Sequence, residues 1–174
     1  MAETLATARL LLRPFVPEDA DALHAQWNDP DVARWLWDGG PVPRETVDEV
    51  IASSQRSFGA RGFGFFTVRL RDDPDDVIGF AGLRTFGEAQ DVEVLYGLLP
   101  AHWGRGLATE AARAILDWAF DTLGLTEIAA GADPPNAASF AVMRRLGMPF
   151  WKEMVLDGRP ARYHRLTVSD RAPA

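Results

Sequence analysis

The sequence predicts an α/β (α+β) domain: one mixed, mostly antiparallel, twisted sheet with flanking helices. Three observations carry that class. Runs rich in β-branched and aromatic residues recur in the middle of the chain, separated by turn-forming residues, as antiparallel strands are. From Val92 onward strand-like and helical segments alternate. The longest helical pattern, after Gly106, is apolar on one side and charged on the other. The length of 174 residues suits a single domain over 1–174.

Each element follows in order. "RLLLRPF" (9–15) reads as a first strand ended by Pro14 and Pro17. "PEDADALHAQWNDPDVARWLW" reads as two short helices, with Pro17 at a start, Glu18 and Asp19 in the first turn, and a break at Asn28-Asp29-Pro30. "PRETVDEVIASSQRSF" is a third helix that places Val47, Val50, Ile51, Ser54 and Phe58 on one side. "FGFFTVRLR" and "DVIGFAGLRTF" are strands joined through "DDPDD". That acidic cluster reads as a solvated hairpin tip, because the spacing of a calcium loop is missing. "DVEVLYGLL" is the next strand. In the main helix Leu107, Ala111, Ile115, Ala119 and Leu123 form an apolar row, with Glu110, Arg113, Asp117 and Asp121 opposite and Gly124 as the stop. "LTEIAAGAD" is a strand and "PNAASFAVMRRLG" a short helix. "FWKEMVLDG" and "ARYHRLTV" make a terminal hairpin, with a frayed tail expected over about 169–174.

The net charge of −7 argues against nucleic acid as a partner, which needs a basic stripe. It is compatible with a cationic acceptor such as an amine. Cysteine is absent, which excludes disulfides, thiolate catalysis and thiolate metal sites. His24, His102 and His164 lack the i, i+4 spacing of a helical zinc site, so no metal is expected. The N-terminus does not read as a signal peptide and no apolar run is long enough for a bilayer, so a cytoplasmic protein without membrane contact is expected.

The turn "HWGRGL" carries the strongest functional signal. Gly104 and Gly106 remove side chains, so consecutive N–H groups can converge on one point. The first N–H groups of the following helix lack internal partners, and the helix dipole makes that end partially positive. Arg105 adds a full charge, and no carboxylate occurs from Pro100 to Thr109. Two readings stand: an anion cradle, or a plain strand-to-helix turn in which glycines serve packing. A dinucleotide fingerprint is not met, because Thr109 replaces its third glycine. The nucleoside-triphosphate loop is not met either, because Leu107-Ala108 stand where Lys-Ser/Thr would.

"HWGRGLATEA" is similar to the central motif of the GNAT acyltransferase superfamily, R/Q-x-x-G-x-G/A entering the main helix. Trp103 takes the first position, Gly106 the glycine and Ala108 the G/A position. Tryptophan there resembles the Rim-type subfamily, which modifies N-terminal residues of ribosomal proteins. "TARLLLRPFVPEDADALHAQWNDPDVARWL" and "NAASFAVMRRLGM" resemble the same subfamily, so the similarity covers nearly the whole chain. The resemblance implies the GNAT fold, with its sheet splayed at the cofactor site, and acetyl-CoA as acetyl donor. It implies that the N–H groups of Trp103, Gly104, Arg105, Gly106, Leu107, Ala108 and Thr109 hold the pyrophosphate. The main chain of Leu98 and Leu99 would pair with the pantetheine arm, and Asn136 would fix the cofactor near its thioester. Arg105 would meet the adenosine phosphates; Arg144 or Arg145 would join it or form a solvated helix face.

Acyl transfer to an amine needs a proton acceptor, a donor for the oxyanion and a group for the departing thiolate. With no cysteine and no G-x-S-x-G turn, direct attack in a ternary complex is the simplest scheme. Glu93 matches a strand glutamate of the family and is the candidate base, through water; the alternative is a carboxylate that faces solvent or positions substrate. A backbone N–H near Leu98 is the candidate oxyanion donor. Where many family members carry a tyrosine seven residues after the asparagine, this chain has Met143. Ser139, three residues after Asn136, resembles the Rim-type serine; it can serve the thiolate, cap the helix or touch the cofactor. Tyr96 and Tyr163 are weaker alternatives. Leu95 stands where the Rim pattern has a strand glycine, which leaves the strand's bulge and Glu93's aim open. Trp35 and Trp37 are read as acceptor-cleft walls, able to face an amine by a cation–π contact. Trp27, Trp118 and Trp151 are read as packing residues.

The expected function is acetyl-CoA-dependent N-acetylation of a primary amine, preferably a protein or peptide N-terminus. A small-molecule amine (amino acid, polyamine or antibiotic) is the alternative acceptor, and a non-catalytic acyl-CoA-binding module is the alternative class. A homodimer is admitted but not specified.

Overall fold

A computed structural model describes residues 3–36, 39–156 and 158–171. Eight strands form one sheet in the order β1-β2-β3-β4-β5-β6-β8-β7. They are β1 (Leu5–Ala6), β2 (Leu10–Pro14), β3 (Phe65–Leu70), β4 (Gly79–Phe86), β5 (Asp91–Leu98), β6 (Glu127–Ala132), β7 (Phe150–Leu156) and β8 (Arg159–Thr167). Five helices accompany them: α1 (Ala20–Trp27), α2 (Pro30–Leu36), α3 (Arg44–Arg61), α4 (Leu107–Asp121) and α5 (Ala137–Arg145). Every neighbouring pair is antiparallel except β5 with β6, which is parallel.

That exception organises the molecule. β5 pairs with β4 without interruption from Asp91↔Phe86 to Leu98↔Gly79. β6 pairs with β8 from Glu127↔Thr167 to Ala132↔Arg162. Between them, β5 and β6 share one register point, Glu93↔Ala129. Past it each strand follows its other neighbour, and the sheet opens into a wedge.

The two faces are covered by different helices. On one, Leu107, Ala111, Ile115 and Ala119 of α4 and Val142, Met143 and Leu146 beside α5 pack on Leu12, Val68, Leu83, Val94 and Ile128. On the other, Leu23 and Trp27 of α1 and Val47 and Ile51 of α3 close over Phe15, Phe80 and Leu95. The amphipathic row of α4 is the buried stripe expected of it. Leu123 packs on the same core from beyond the helix end, because α4 stops at Asp121 and Gly124 takes the left-handed turn at φ 69°.

The expected first strand stands as β2, and an unforeseen two-residue strand, β1, precedes it where Thr7 turns the chain: its hydroxyl accepts from Leu10 N–H at 2.9 Å and its N–H reaches Leu10 O at 2.9 Å. Two local expectations are corrected. α3 runs past Phe58 to Arg61 and ends where Gly62 adopts φ 82°; nothing before that glycine stops the helix. The tail does not fray from 169: Val168–Asp170 form a 3-10 turn, with Asp170 accepting from Thr167 N–H and hydroxyl at 2.9 and 2.7 Å. Arg171 then pairs with Asp121 at 2.6 Å and Asp117 at 3.1 Å on the outer side of α4.

The "DDPDD" tip is anchored from within. Arg69 of β3 is 5% exposed and pairs with Asp19, also 5% exposed, at 2.7 Å. Its other nitrogens hold the carbonyls of Pro74 and Asp75 and the hydroxyl of Thr67. Asp19 in turn accepts from Val16 N–H at 3.0 Å. One buried pair thus ties the entry of α1 to the β3–β4 hairpin. Asp19→Ala leaves the guanidinium buried without its counter-ion and is expected to lower unfolding free energy by about 3–5 kcal/mol in denaturant titrations.

Candidate active site

The wedge mouth is built from the end of β5 and the start of α4. After Leu98 the chain makes a 3-10 turn (Pro100–His102), then reaches Gly104 at φ 71° and Gly106 at φ 75°. These left-handed angles are the reason for glycine at both positions. Among the described residues, no protein acceptor pairs with the N–H groups of Gly104 to Thr109; the first inward bond is Glu110 N–H to Gly106 O at 3.0 Å. The Thr109 hydroxyl is buried and has no partner. Arg105 is exposed, with its guanidinium 3.4 Å from His102 Nδ1. The Trp103 indole N–H donates to Leu98 O at 2.7 Å, which pins a ring that is 48% exposed at the rim.

Of the two leucines expected to face the cofactor, only Leu98 keeps a main-chain N–H toward the wedge, its carbonyl being taken by the Trp103 indole. Leu99 N–H is bonded to Ile78 O and Leu99 O accepts from His102 N–H, both at 2.9 Å. Backbone groups alternate sides along a strand, so a residue that bonds toward β4 leaves its neighbour facing the wedge. Leu99 is therefore withdrawn from the cofactor set.

The floor of the wedge is Glu93. It stands at the last point where β5 and β6 meet and is 2% exposed. Arg84, its partner across β4, donates Nε–H to Oε1 at 2.7 Å. From β8 the Tyr163 phenol approaches the same carboxylate closely enough to feel its charge. To reach it, the phenol ring lies over Gly131, where a Cβ would collide with it, and stacks on Phe86 at 4.9 Å between centroids. Burial first, then the Glu93 charge, raise the Tyr163 pKa above the ordinary tyrosine range. The absent strand glycine does not disturb this aim, because β5 keeps regular register through Leu95. Gly97 supplies the close approach instead: a Cβ there would meet the Phe80 ring, and its carbonyl accepts from Gln26 Nε2 at 3.0 Å.

The far lip comes from α5. Asn136 caps the helix, its Oδ1 accepting from Ser139 N–H at 3.1 Å. The Tyr96 hydroxyl donates to Ser139 O at 3.2 Å. Two residues considered separately as leaving-group donors are thus one contact across the wedge. Burial raises the Tyr96 pKa, partly offset by Ser139. Met143 lies in the core at 1% exposure. Arg144 turns toward β8, lining an open cleft with Phe140, Arg162 and His164. Arg145 is exposed, and its carbonyl is held by Arg113 of α4.

Trp35 is half-buried on α2 with the Arg34 guanidinium 5.0 Å from its ring; Trp37 lies outside the described residues. Trp27 packs between Phe15 and Phe80, and Trp118 between Phe58 and Phe66. Trp151 is half-buried: it packs against the cluster of Phe86, Ala129 and Tyr163, with Lys152 Nζ 3.7 Å and Arg165 4.5 Å from its ring. Arg84 and Gln26 were not found from sequence. Their roles depend on strand register and helix docking, for which no local signal exists.

Residues 9–149 match the family model described as an acetyltransferase (GNAT) domain. The chain belongs to the GNAT acetyltransferase family. It is 31% identical over 159 residues to an uncharacterized N-acetyltransferase, p20, of Bacillus licheniformis, covering 88% of this chain and 85% of that one. An acetyltransferase structure from Agrobacterium tumefaciens superposes with a TM-score of 0.82 at 28% identity, over 95% of each chain. RimL, a ribosomal L7/L12 alpha-N-protein acetyltransferase solved with coenzyme A, shares the fold at TM-score 0.79 and 16% identity, over 97% of this chain and 100% of that one.

As a GNAT enzyme the chain is an acetyl-CoA-dependent acyltransferase. The residues present suit that donor: six successive N–H groups without protein partners and a buried hydroxyl without one can take a diphosphate at a helix start.

Gly106→Val places a branched residue at φ 75°, at a cost of roughly 1–2 kcal/mol or more. CoA affinity by calorimetry is expected to fall about ten-fold, and the strain should lower the melting temperature by about 2–8 °C. The raised tyrosines predict a second effect. Stability is complete below about pH 10, where unfolded phenols are still protonated. Above it the unfolded chain ionises while Tyr96 and Tyr163 do not, so unfolding free energy falls as pH rises. Denaturant midpoints between pH 9 and 11 should show this decline, shallower in Tyr96→Phe.

Proposed function

We propose that this enzyme transfers the acetyl group of acetyl-CoA directly to a primary amine, with a protein or peptide N-terminus as the preferred acceptor. The observation that carries the reading is the fixed carboxylate of Glu93 at the apex of the wedge, on the strand that leads through Leu98 to the unpaired N–H cradle. Support for the acceptor comes from Rim-type resemblance in three segments of the sequence and from the likeness in fold to RimL.

In this scheme Gly104 to Thr109 hold the diphosphate by main-chain N–H groups, Trp103 dropping out of the expected set because its N–H is bonded to Pro100 O at 3.1 Å; Leu98 meets the pantetheine arm, and Asn136 steadies the thioester end. Trp35 walls the acceptor. The amine nitrogen bonds to the thioester carbon while the carbon–sulfur bond breaks. Glu93 takes the amine proton through water, since its burial excludes a bulky acceptor from direct contact. Leu98 N–H stabilises the oxyanion, and Ser139, coupled to Tyr96, hydrogen-bonds the departing thiolate.

Mass spectrometry after incubation with acetyl-CoA and a mixed library of peptides and small amines tests the acceptor. Acetylated peptide N-termini are expected; products confined to small amines would replace the acceptor class. With a verified acceptor, Glu93→Gln should lower kcat by about 10²-fold while the KM for acetyl-CoA changes by less than about two-fold. An unchanged kcat would remove Glu93 as base.

A further inference from the structure

The opening "TAR" segment (7–9) has no role in the scheme above, yet it reaches the cradle across 96 and more residues of sequence. Arg9 donates Nη1–H to the carbonyl of Arg105 at 2.9 Å. Its Nε and Nη2 both lie 2.6 Å from Glu110 Oε2, and its own backbone N–H donates to Glu110 Oε1 at 2.9 Å. The Thr7 hydroxyl donates to that same Oε1 at 2.6 Å. The Arg9 guanidinium stands 3.7 Å from where a Cβ on Gly106 would lie.

We infer that Arg9 is a positioning residue for acetyl-CoA, which orients the glycine turn and cancels the one carboxylate beside it. The inference rests on the reading of that turn as the diphosphate cradle.

Two physical effects make the case. A trans peptide is planar, so its carbonyl and the next N–H point in opposite directions. Holding Arg105 O toward β2 therefore turns Gly106 N–H outward, to the side where the following helix N–H groups are free. Glu110 is the second contribution. The span from Pro100 to Thr109 is free of acids, and Glu110 follows it in the first turn of α4. A bare carboxylate within one helical pitch, about 5.4 Å, would repel a diphosphate. Burial pushes the Glu110 carboxyl up, and the bonds from Thr7 and Arg9 more than reverse this, holding it below the usual carboxylate range. The charge is thus kept but is neutralised from the turn between β1 and β2.

The test compares CoA with pantetheine, which lacks the diphosphate, on the full chain by calorimetry and NMR titration. Arg9→Met is expected to weaken CoA about ten-fold and to change pantetheine by less than about two-fold. Adding Glu110→Gln to Arg9→Met should recover about three-fold of the CoA affinity, because the repulsion is removed. Equal losses for both probes, or an unchanged CoA affinity, would overturn the inference. If Arg9→Met does not fold, Arg9→Lys keeps the charge and loses the fork; a smaller loss, still confined to CoA, is expected, and a loss common to both probes counts against it. Gly106→Val separates the two levels. Weak CoA binding there with normal binding in Arg9→Met leaves the cradle and removes Arg9, whereas normal binding in both removes the cradle itself.

Discussion

The architecture depends on the single point at which β5 and β6 touch. Strand pairing is satisfied by neighbours on both sides, so two strands can separate only if each keeps its other partner. β5 does so along β4 and β6 along β8. The cost of opening the sheet is a set of main-chain groups facing a gap, and a ligand with amides of its own can satisfy them. Glu93 sits where the strands part, which places a carboxylate at the apex of the gap.

Small residues make the divergence compatible with packing. Ala129, Ala130 and Gly131 leave β6 thin, and Tyr163 uses that space to cross from β8 to Glu93. On the opposite face Tyr96 reaches Ser139 and keeps α5 against the opened half of β5. Two phenols therefore flank the wedge, one on each face: Tyr96 with its hydroxyl on Ser139 O, Tyr163 with its ring stacked on Phe86 beside Glu93. Gly97 and Gln26 add a third brace from α1.

Charge is arranged by the same logic. The chain carries −7, yet its acids are kept from the cradle or matched where they approach it. Glu93 has Arg84, whose exposed side chain brings a charge in from the surface without burying it (53% against 3% for the glutamate). Glu110 has Arg9 and Thr7. Asp19 and Arg69 are the fully enclosed case, and they organise a hairpin and a helix entry rather than chemistry.

What could be read in the sequence was whatever is encoded by near neighbours. The α4 stripe, the glycine turn and the order of strands and helices all follow from spacing or local conformation. Position along a strand could be read, but not which neighbour a peptide bonds to; hence Leu98 and Leu99 looked equivalent, and the tertiary pairing with Ile78 separated them. Tail docking escaped for a similar reason, since Arg171 finds Asp117 and Asp121 only after α4 is in place. The sequence by itself determined the element types, the family and the residues able to bear the chemistry, because those depend on side-chain identity at short range. Only the tertiary structure decided the wedge, the Arg84–Glu93–Tyr163 cluster and the Arg9–Glu110 pairing, because each joins groups whose meeting depends on how strands line up across the sheet.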